Sequence, residues 1–271
     1  MHRDLGVIDG PLVLFGGPYS NLQATQALLN EAARRGVAGK QLICTGDVVA
    51  YCGDPVATIA ALRARGAVIV AGNCEKQLAT GADDCGCGFE EGSACDLLSA
   101  GWYRFASRKI DAKAREWMAA VPDLVSFSHQ GARYAVLHGG MTNIARFIWP
   151  TSPNDVFAEE WTAVEHAIGK VDHIIAGHCG IPFEKSLPKG SWINAGGIGM
   201  PPHDGGQQTR YAVLDGGTVT FHRLSYDASA AHKAMVQTGL EQGYHDSLLS
   251  GFWPSEDVLP AALRVPSLAK G

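Results

Sequence analysis

The chain contains no uninterrupted apolar run approaching the ~18 residues that a membrane-spanning helix requires, so no segment reads as a transmembrane span. It also lacks a basic stripe. Its 22 Lys and Arg face 27 Asp and Glu, for a formal charge of -5. Nucleic-acid binding driven by phosphate neutralisation therefore has no electrostatic footprint. The first residues, MHRDLGVIDG, carry no long apolar stretch ahead of a cleavage site, so a secretory leader is not expected. Thirteen prolines in 271 residues and the lack of any low-complexity tract argue against extensive disorder. Seven cysteines cannot all pair. A chain of this length can build a full core without disulfide staples, and a reducing, cytoplasmic setting is the expectation.

What is present is apolar material in short, well-separated pieces. The composition is 46% hydrophobic and only 18% charged, enough for a sizeable core. Leu12 to Phe15 is a continuous apolar run closed by Gly16 and Gly17, as expected of a strand buried on both faces. Residues 21–35 then place Leu22, Leu28, Leu29 and Ala32 at helical spacing, and Gly36 ends the pattern. Leu42 to Cys44 and 68–70 read as further strands, with a helix over 56–65 between them. Helices are expected again at 112–120, 155–168 and 228–240, and strands at 134–137, 174–175, 192–193, 211–214 and 219–224. This alternation predicts a layered α/β core with a parallel portion. We read one domain over 1–271, with its core at about 11–225, a Cys- and Gly-rich insertion at 79–101 and a helical tail at 227–271.

Five short blocks follow the apolar runs: GGPYSN (16–21), GD (46–47), GNCE (72–75), HGG (138–140) and GHCG (177–180). Sites in α/β sheets gather at the carboxyl ends of strands, so Asp47, Asn73, His138 and His178 are expected to converge. One carboxylate, one amide oxygen and two imidazoles make a mixed oxygen and nitrogen set that suits Fe, Mn or Zn. Such a cation lowers the pKa of a bound water from about 15.7 toward 7.

In order and spacing the blocks resemble the signature of calcineurin-like metallophosphoesterases, whose blocks read D-x-H, GD, GNH[DE], H and GHxH. The resemblance spans roughly residues 11–225 and implies a four-layer α/β/β/α sandwich. It implies a metal-dependent phosphatase or phosphodiesterase acting on a small phosphorylated substrate through metal-activated water, similar to bacterial phosphodiesterases and dinucleoside-polyphosphate hydrolases. It assigns Asp47, Asn73, His138 and His178 to one divalent transition metal. The positions of the other metal's ligands fall on Gly17, Tyr19 and Gly180, so a mononuclear site with altered or weakened hydrolysis is expected. The family's His near the leaving group is Cys74 here, a candidate proton donor alongside Asp47, Asn73 and His138. Asn194, in a block resembling the family's NPGS, is expected to line the pocket.

Arg146, close after His138, could clamp substrate oxygens or form a surface ion pair. His203 could re-enter as a replacement ligand. Cys85, Cys87 and Cys95 lack the partnering C-x-x-C of a zinc site and read as free thiols or a single disulfide. The alternative to an enzyme is an inactive binding or regulatory protein on the same fold, for which the retromer subunit with this fold is an analogy.

Overall fold

The computed structural model describes residues 1–265; the last residues of the expected helical tail, 266–271, lie outside it. Eleven strands run in chain order as β1 (His2–Val7), β2 (Leu12–Phe15), β3 (Leu42–Cys44), β4 (Val68–Ile69), β5 (Leu124–His129), β6 (Ala132–Val136), β7 (His173–Ala176), β8 (Phe183–Leu187), β9 (Gly190–Asn194), β10 (Thr209–Asp215) and β11 (Thr218–Leu224). The helices are α1 (Leu22–Arg34), α2 (Pro55–Ala64), α3 (Asn73–Thr80), α4 (Ala94–Lys109), α5 (Ala112–Ala120), α6 (Asn154–Ile168), α7 (Ala228–Gln237) and α8 (Tyr244–Ser250). One sheet has the order β1-β5-β6-β7-β9-β8 and the other β11-β10-β2-β3-β4.

Period-2 alternation sorts the strand residues into layers. Leu12 and Leu14 of β2, Ile43 of β3 and Ala212 of β10 pack against Phe127 of β5, Val136 of β6 and Ile175 of β7, which forms the core between the sheets. The alternate residues Val13, Phe15 and Cys44 face outward and meet Leu28 of α1, Leu62 of α2 and Trp102 of α4. On the far face of the other sheet, Ala135, Ile174 and Trp192 pack on Phe157 and Trp161 of α6. Both sheets are thus covered on both faces, giving the α/β/β/α sandwich that the motif order implies. Among the described residues, no helix is long and apolar enough to cross a membrane.

Local chemistry sets the helix starts. Asn21, Ser93 and Asp111 each accept a hydrogen bond from the amide three residues on, and Pro55 occupies the first turn of α2. Several elements differ from expectation, β8 and α3 among them, and three are instructive. Strand β1 is mostly exposed and carries no apolar run, yet it pairs in parallel with β5. Strand β5 interleaves serines with its apolar residues, which hides it from a search for continuous runs. The segment expected as a loop over 79–101 turns helical at Ala94, where the Ser93 cap starts α4.

Leu14 is fully buried between the sheets. Truncation to alanine removes packing from both at once and is expected to cost about 2–5 kcal/mol. Chemical denaturation of Leu14→Ala against wild type measures it; a loss below about 1 kcal/mol would show that this layer is loosely packed.

Candidate metal centre

The four blocks that carry polar side chains leave strand ends in both sheets. Gly46-Asp47 follows β3, Gly72-Asn73 follows β4, His138 follows β6 and Gly177-His178 follows β7. β3 and β4 run parallel, as do β6 and β7, so their carboxyl ends bring the residues together where the two sheets meet. The Oδ2 of Asp47 and the Oδ1 of Asn73 lie 3.3 and 3.0 Å from His138 Nε2. His178 Nδ1 lies 3.0 Å from the same nitrogen. Candidate ligand atoms of Asp47, His138 and His178 all fall within 4.8 Å of one another.

The orientations are fixed from behind. His138 Nδ1 lies 2.6 Å from the Thr45 carbonyl. A carbonyl can only accept, so Nδ1 carries the proton and the Nε2 of the neutral ring presents a lone pair to the site. Asn73 Nδ2 donates to the Cys85 carbonyl at 2.9 Å, which turns Oδ1 inward. The backbone of Ala145 and Cys87 flanks the His178 ring. His178 Nε2 is nonetheless buried without a partner in hydrogen-bonding geometry. Asp47 and His178 both adopt left-handed backbone, φ +54° and +60°, a conformation that costs non-glycine residues energy and gathers at functional positions. Gly72 is required sterically, because a Cβ there would lie 2.2 Å from Asp47 Oδ1.

A carboxylate, an amide oxygen and two imidazole nitrogens facing one point repel each other unless a proton or cation sits among them. The titration behaviour reflects this. His138 is driven down by burial and up by the Asp47 carboxylate, and its pKa ends above the ordinary value. Burial, then the positive charge at His138, pushes His178 down to about 3. Burial opposes ionisation of Asp47, but His138 outweighs it and holds the carboxyl below its usual range.

Glu75 was not singled out from the sequence and proves central. It is fully buried. Its carboxylate accepts hydrogen bonds from the amides of Asp47 (2.8 Å), Val48 (2.9 Å), Val49 (3.4 Å) and Gly72 (2.9 Å). One side chain therefore holds both the GD loop and the start of α3. Burial and the Asp47 charge push its pKa up to about 7, with the Gly72 and Asp47 amides opposing. A sequence signal existed, since Glu at the third helical position reaching back to the amide before the helix is half of a capping box.

Several expected roles are not met. Arg146 makes no hydrogen bond to the centre among the described residues. Its guanidinium is held 2.7 Å from both Glu159 and Glu160, so the ion-pair reading is the right one and its charge is already matched. Asn194 does not line the pocket; its amide donates to the Gly177 carbonyl and Cys179 Sγ, and its oxygen accepts from Gly196, which fixes the His178 loop. Cys74 has its amide on Asp47 Oδ1 and its thiol hydrogen-bonded to the Asp47 side chain, so it does stand at the centre, and burial and the Asp47 and Glu75 charges push that thiol well up. His203 meets Glu256 and the Trp253 amide instead of the centre. Cys85 and Cys87 are joined in a disulfide, and Cys95 is a buried free thiol.

Of the positions of the missing ligands, that at Gly17 is filled, and that at Gly180 has neighbours only at ordinary contact distance. A Cβ at Gly17 would lie 2.1 Å from the ring of Tyr19, so that ring takes the space of a side chain at 17. A Cβ at Gly180 would lie 3.7 Å from Tyr19 Oη and 3.6 Å from Trp253.

The family model for calcineurin-like phosphoesterases matches residues 2–210. The chain belongs to that family. Calcineurin-like phosphoesterases use divalent metals to act on phosphate esters, and the centre described above lies within the matched part. An uncharacterised protein of Methanocaldococcus jannaschii is 24% identical over 252 residues, 86% of this chain and 95% of its own. Two solved structures share the fold. A metallophosphoesterase from Sphaerobacter thermophilus has TM-score 0.70 at 18% identity, covering 90% of this chain and 100% of its own. A hypothetical protein from Pyrococcus horikoshii has TM-score 0.71 at 17% identity, covering 89% and 98%.

Two outcomes follow for the metal-free protein. Glu75→Gln turns an amide NH2 toward backbone N–H groups and is expected to cost roughly 3 kcal/mol, read by denaturation; an unchanged midpoint would remove Glu75 from its structural role. His178 has a folded pKa below its unfolded value, so it contributes stability above pH 6.5 that is lost as pH falls toward 3. Glu75, with its pKa raised, contributes in the opposite sense, its part being lost as pH rises from 4.5 to 7. His178→Asn should therefore gain about 2.5 kcal/mol relative to wild type on going from pH 7.5 to pH 4.5. A pH-independent difference would mean that His178 titrates normally.

Proposed function

We propose that the chain hydrolyses phosphate esters at a single divalent cation held by Asp47, Asn73, His138 and His178. The observation that carries this reading is the inward-facing donor set: Thr45 and Cys85 orient His138 and Asn73 so that, with His138 neutral as a bound cation requires, Nε2 and Oδ1 would turn lone pairs toward the point that Asp47 and His178 also face. Iron, manganese or zinc suits these donors, and such an ion supplies Lewis acidity and makes water acidic enough to react near neutral pH.

The protein's own groups do the rest. Glu75 keeps the Asp47 loop in place through four amides, so the carboxylate need not reorganise on binding. Tyr19 stands where the family's other metal ligands would project. Burial and the Asp47 charge keep its phenol protonated. Among the described residues its hydroxyl has no hydrogen-bond partner, so it can donate to a phosphoryl oxygen beside the cation. One O–H donor thereby takes over part of the charge stabilisation that a second cation supplies in a two-metal site.

A second reading, a binding protein without turnover, is favoured by the replacement of three ligand positions by Gly17, Tyr19 and Gly180. One experiment separates the two. Protein loaded with Mn, Fe or Zn is assayed on an aryl phosphodiester, with metal content measured in parallel. We expect one equivalent per chain, loss of both metal and turnover in His138→Ala, and retained metal with a kcat about 10- to 100-fold lower in Tyr19→Phe. Absence of turnover with every ion in folded, loaded protein would leave the binding reading. Two equivalents per chain would sink the mononuclear centre.

A further inference from the structure

Beside the candidate centre lies a cleft open to solvent. Asp47 and His178 form its floor. Its walls are aromatic and aliphatic, with Tyr19, Phe89, Phe147, Tyr244 and Trp253 prominent, and among the described residues neither lysine nor arginine lines it. Phe147 packs on the His178 ring at 4.2 Å and stacks 6.1 Å from Phe89. The only cationic side chain expected near the site, Arg146, is matched by two carboxylates.

Trp253 is set in place by two hydrogen bonds. Its indole nitrogen donates to the Pro201 carbonyl at 2.7 Å, and its amide donates to His203 Nδ1 at 2.8 Å. The other nitrogen of His203 meets Glu256. The ring is thus a fixed wall over Gly180, and it belongs to a segment beyond residue 210, outside the part of the chain that matches the family.

We propose that this cleft selects singly charged phosphodiesters bearing a flat aromatic group, and discriminates against dianionic monoesters and polyphosphates. This deepens the proposed function and rests on it. Two arguments carry the inference. The first is charge. Asp47 contributes one negative charge and a divalent cation two positive, leaving one positive charge for the substrate to match. A diester monoanion brings the sum to zero. A monoester, close to doubly charged near neutral pH, leaves an unmatched negative charge among apolar walls with no lysine or arginine to meet it, which is costly. The second is shape. Aromatic walls beside Asp47 and His178 offer stacking and edge contacts to a planar group, and the Tyr19 ring takes the space of a side chain at position 17.

The test is calorimetric binding to full-length protein, with and without Mn, using diphenyl phosphate and phenyl phosphate as non-cleaved probes over short times. Loaded wild type should bind diphenyl phosphate at least tenfold more tightly than phenyl phosphate. Trp253→Ala should weaken diphenyl phosphate about tenfold and leave phenyl phosphate within twofold. Ser255→Lys, which puts a cation on the cleft wall without touching the floor, should tighten phenyl phosphate and narrow the gap, and it carries the test if Trp253→Ala is poorly folded. Equal or tighter binding of phenyl phosphate by wild type, or an unchanged preference in Ser255→Lys, overturns the inference. Turnover is scored separately: diester-selective binding without hydrolysis sustains the inference and defeats the enzymatic reading, whereas hydrolysis with no diester preference does the reverse.

Discussion

A single buried carboxylate organises the candidate centre. Glu75 gathers amides from the loop after β3 and from the turn after β4, so two adjacent parallel strands deliver their ends to one point. Each of those amides would otherwise be buried without a partner, at a cost of about 1–3 kcal/mol apiece. The left-handed backbone at Asp47 is tolerated because its own N–H and the next are both tied down. Without that clamp the Asp47 side chain would have no fixed relation to His138, which comes from the other sheet.

The sheets are joined at the site as well as through their shared core. His138 ends the chemistry of β6 but hands its Nδ1 proton to Thr45, which follows β3 in the opposite sheet. Asn194 plays the same part for His178 by tying down Gly177 and Cys179. Except for the Asn194 bond to Cys179 Sγ, these are side chain to backbone bonds, spanning 17 to 93 positions in sequence. They hold the orientation of the donors before any ion arrives, which is the preorganisation that gives a metal site its affinity and geometry.

Much of this was legible in the sequence. Strands such as Leu12–Phe15 and Leu42–Cys44 are continuous apolar runs, and runs of that kind leave little ambiguity when glycine closes them. The convergence of Asp47, Asn73, His138 and His178 was also readable, because all four stand just past strands. What escaped was of two kinds. Strands β1 and β5 depend on pairing and not on composition, so exposure in one and interleaved serines in the other concealed them. The partners of Arg146, Asn194 and His203 depend on residues 2 to 53 positions away, such as Glu160, Gly177 and Glu256, and no local pattern announces them. Tyr19 is the instructive case. Its identity was visible as a departure from the family's blocks, but only the packing of its ring against Gly17 explains why that position carries no side chain.

The wall supplied by Trp253 divides the labour along the chain. The groups that face the candidate centre sit on strand ends inside the part of the chain that matches the family, while a good part of the cleft wall comes from the region after residue 210. Such a separation would let recognition drift without disturbing the donors, through those residues of the 244–258 segment that line the cleft. A lineage built this way can keep one reaction centre and change its clientele by editing a single terminal strap.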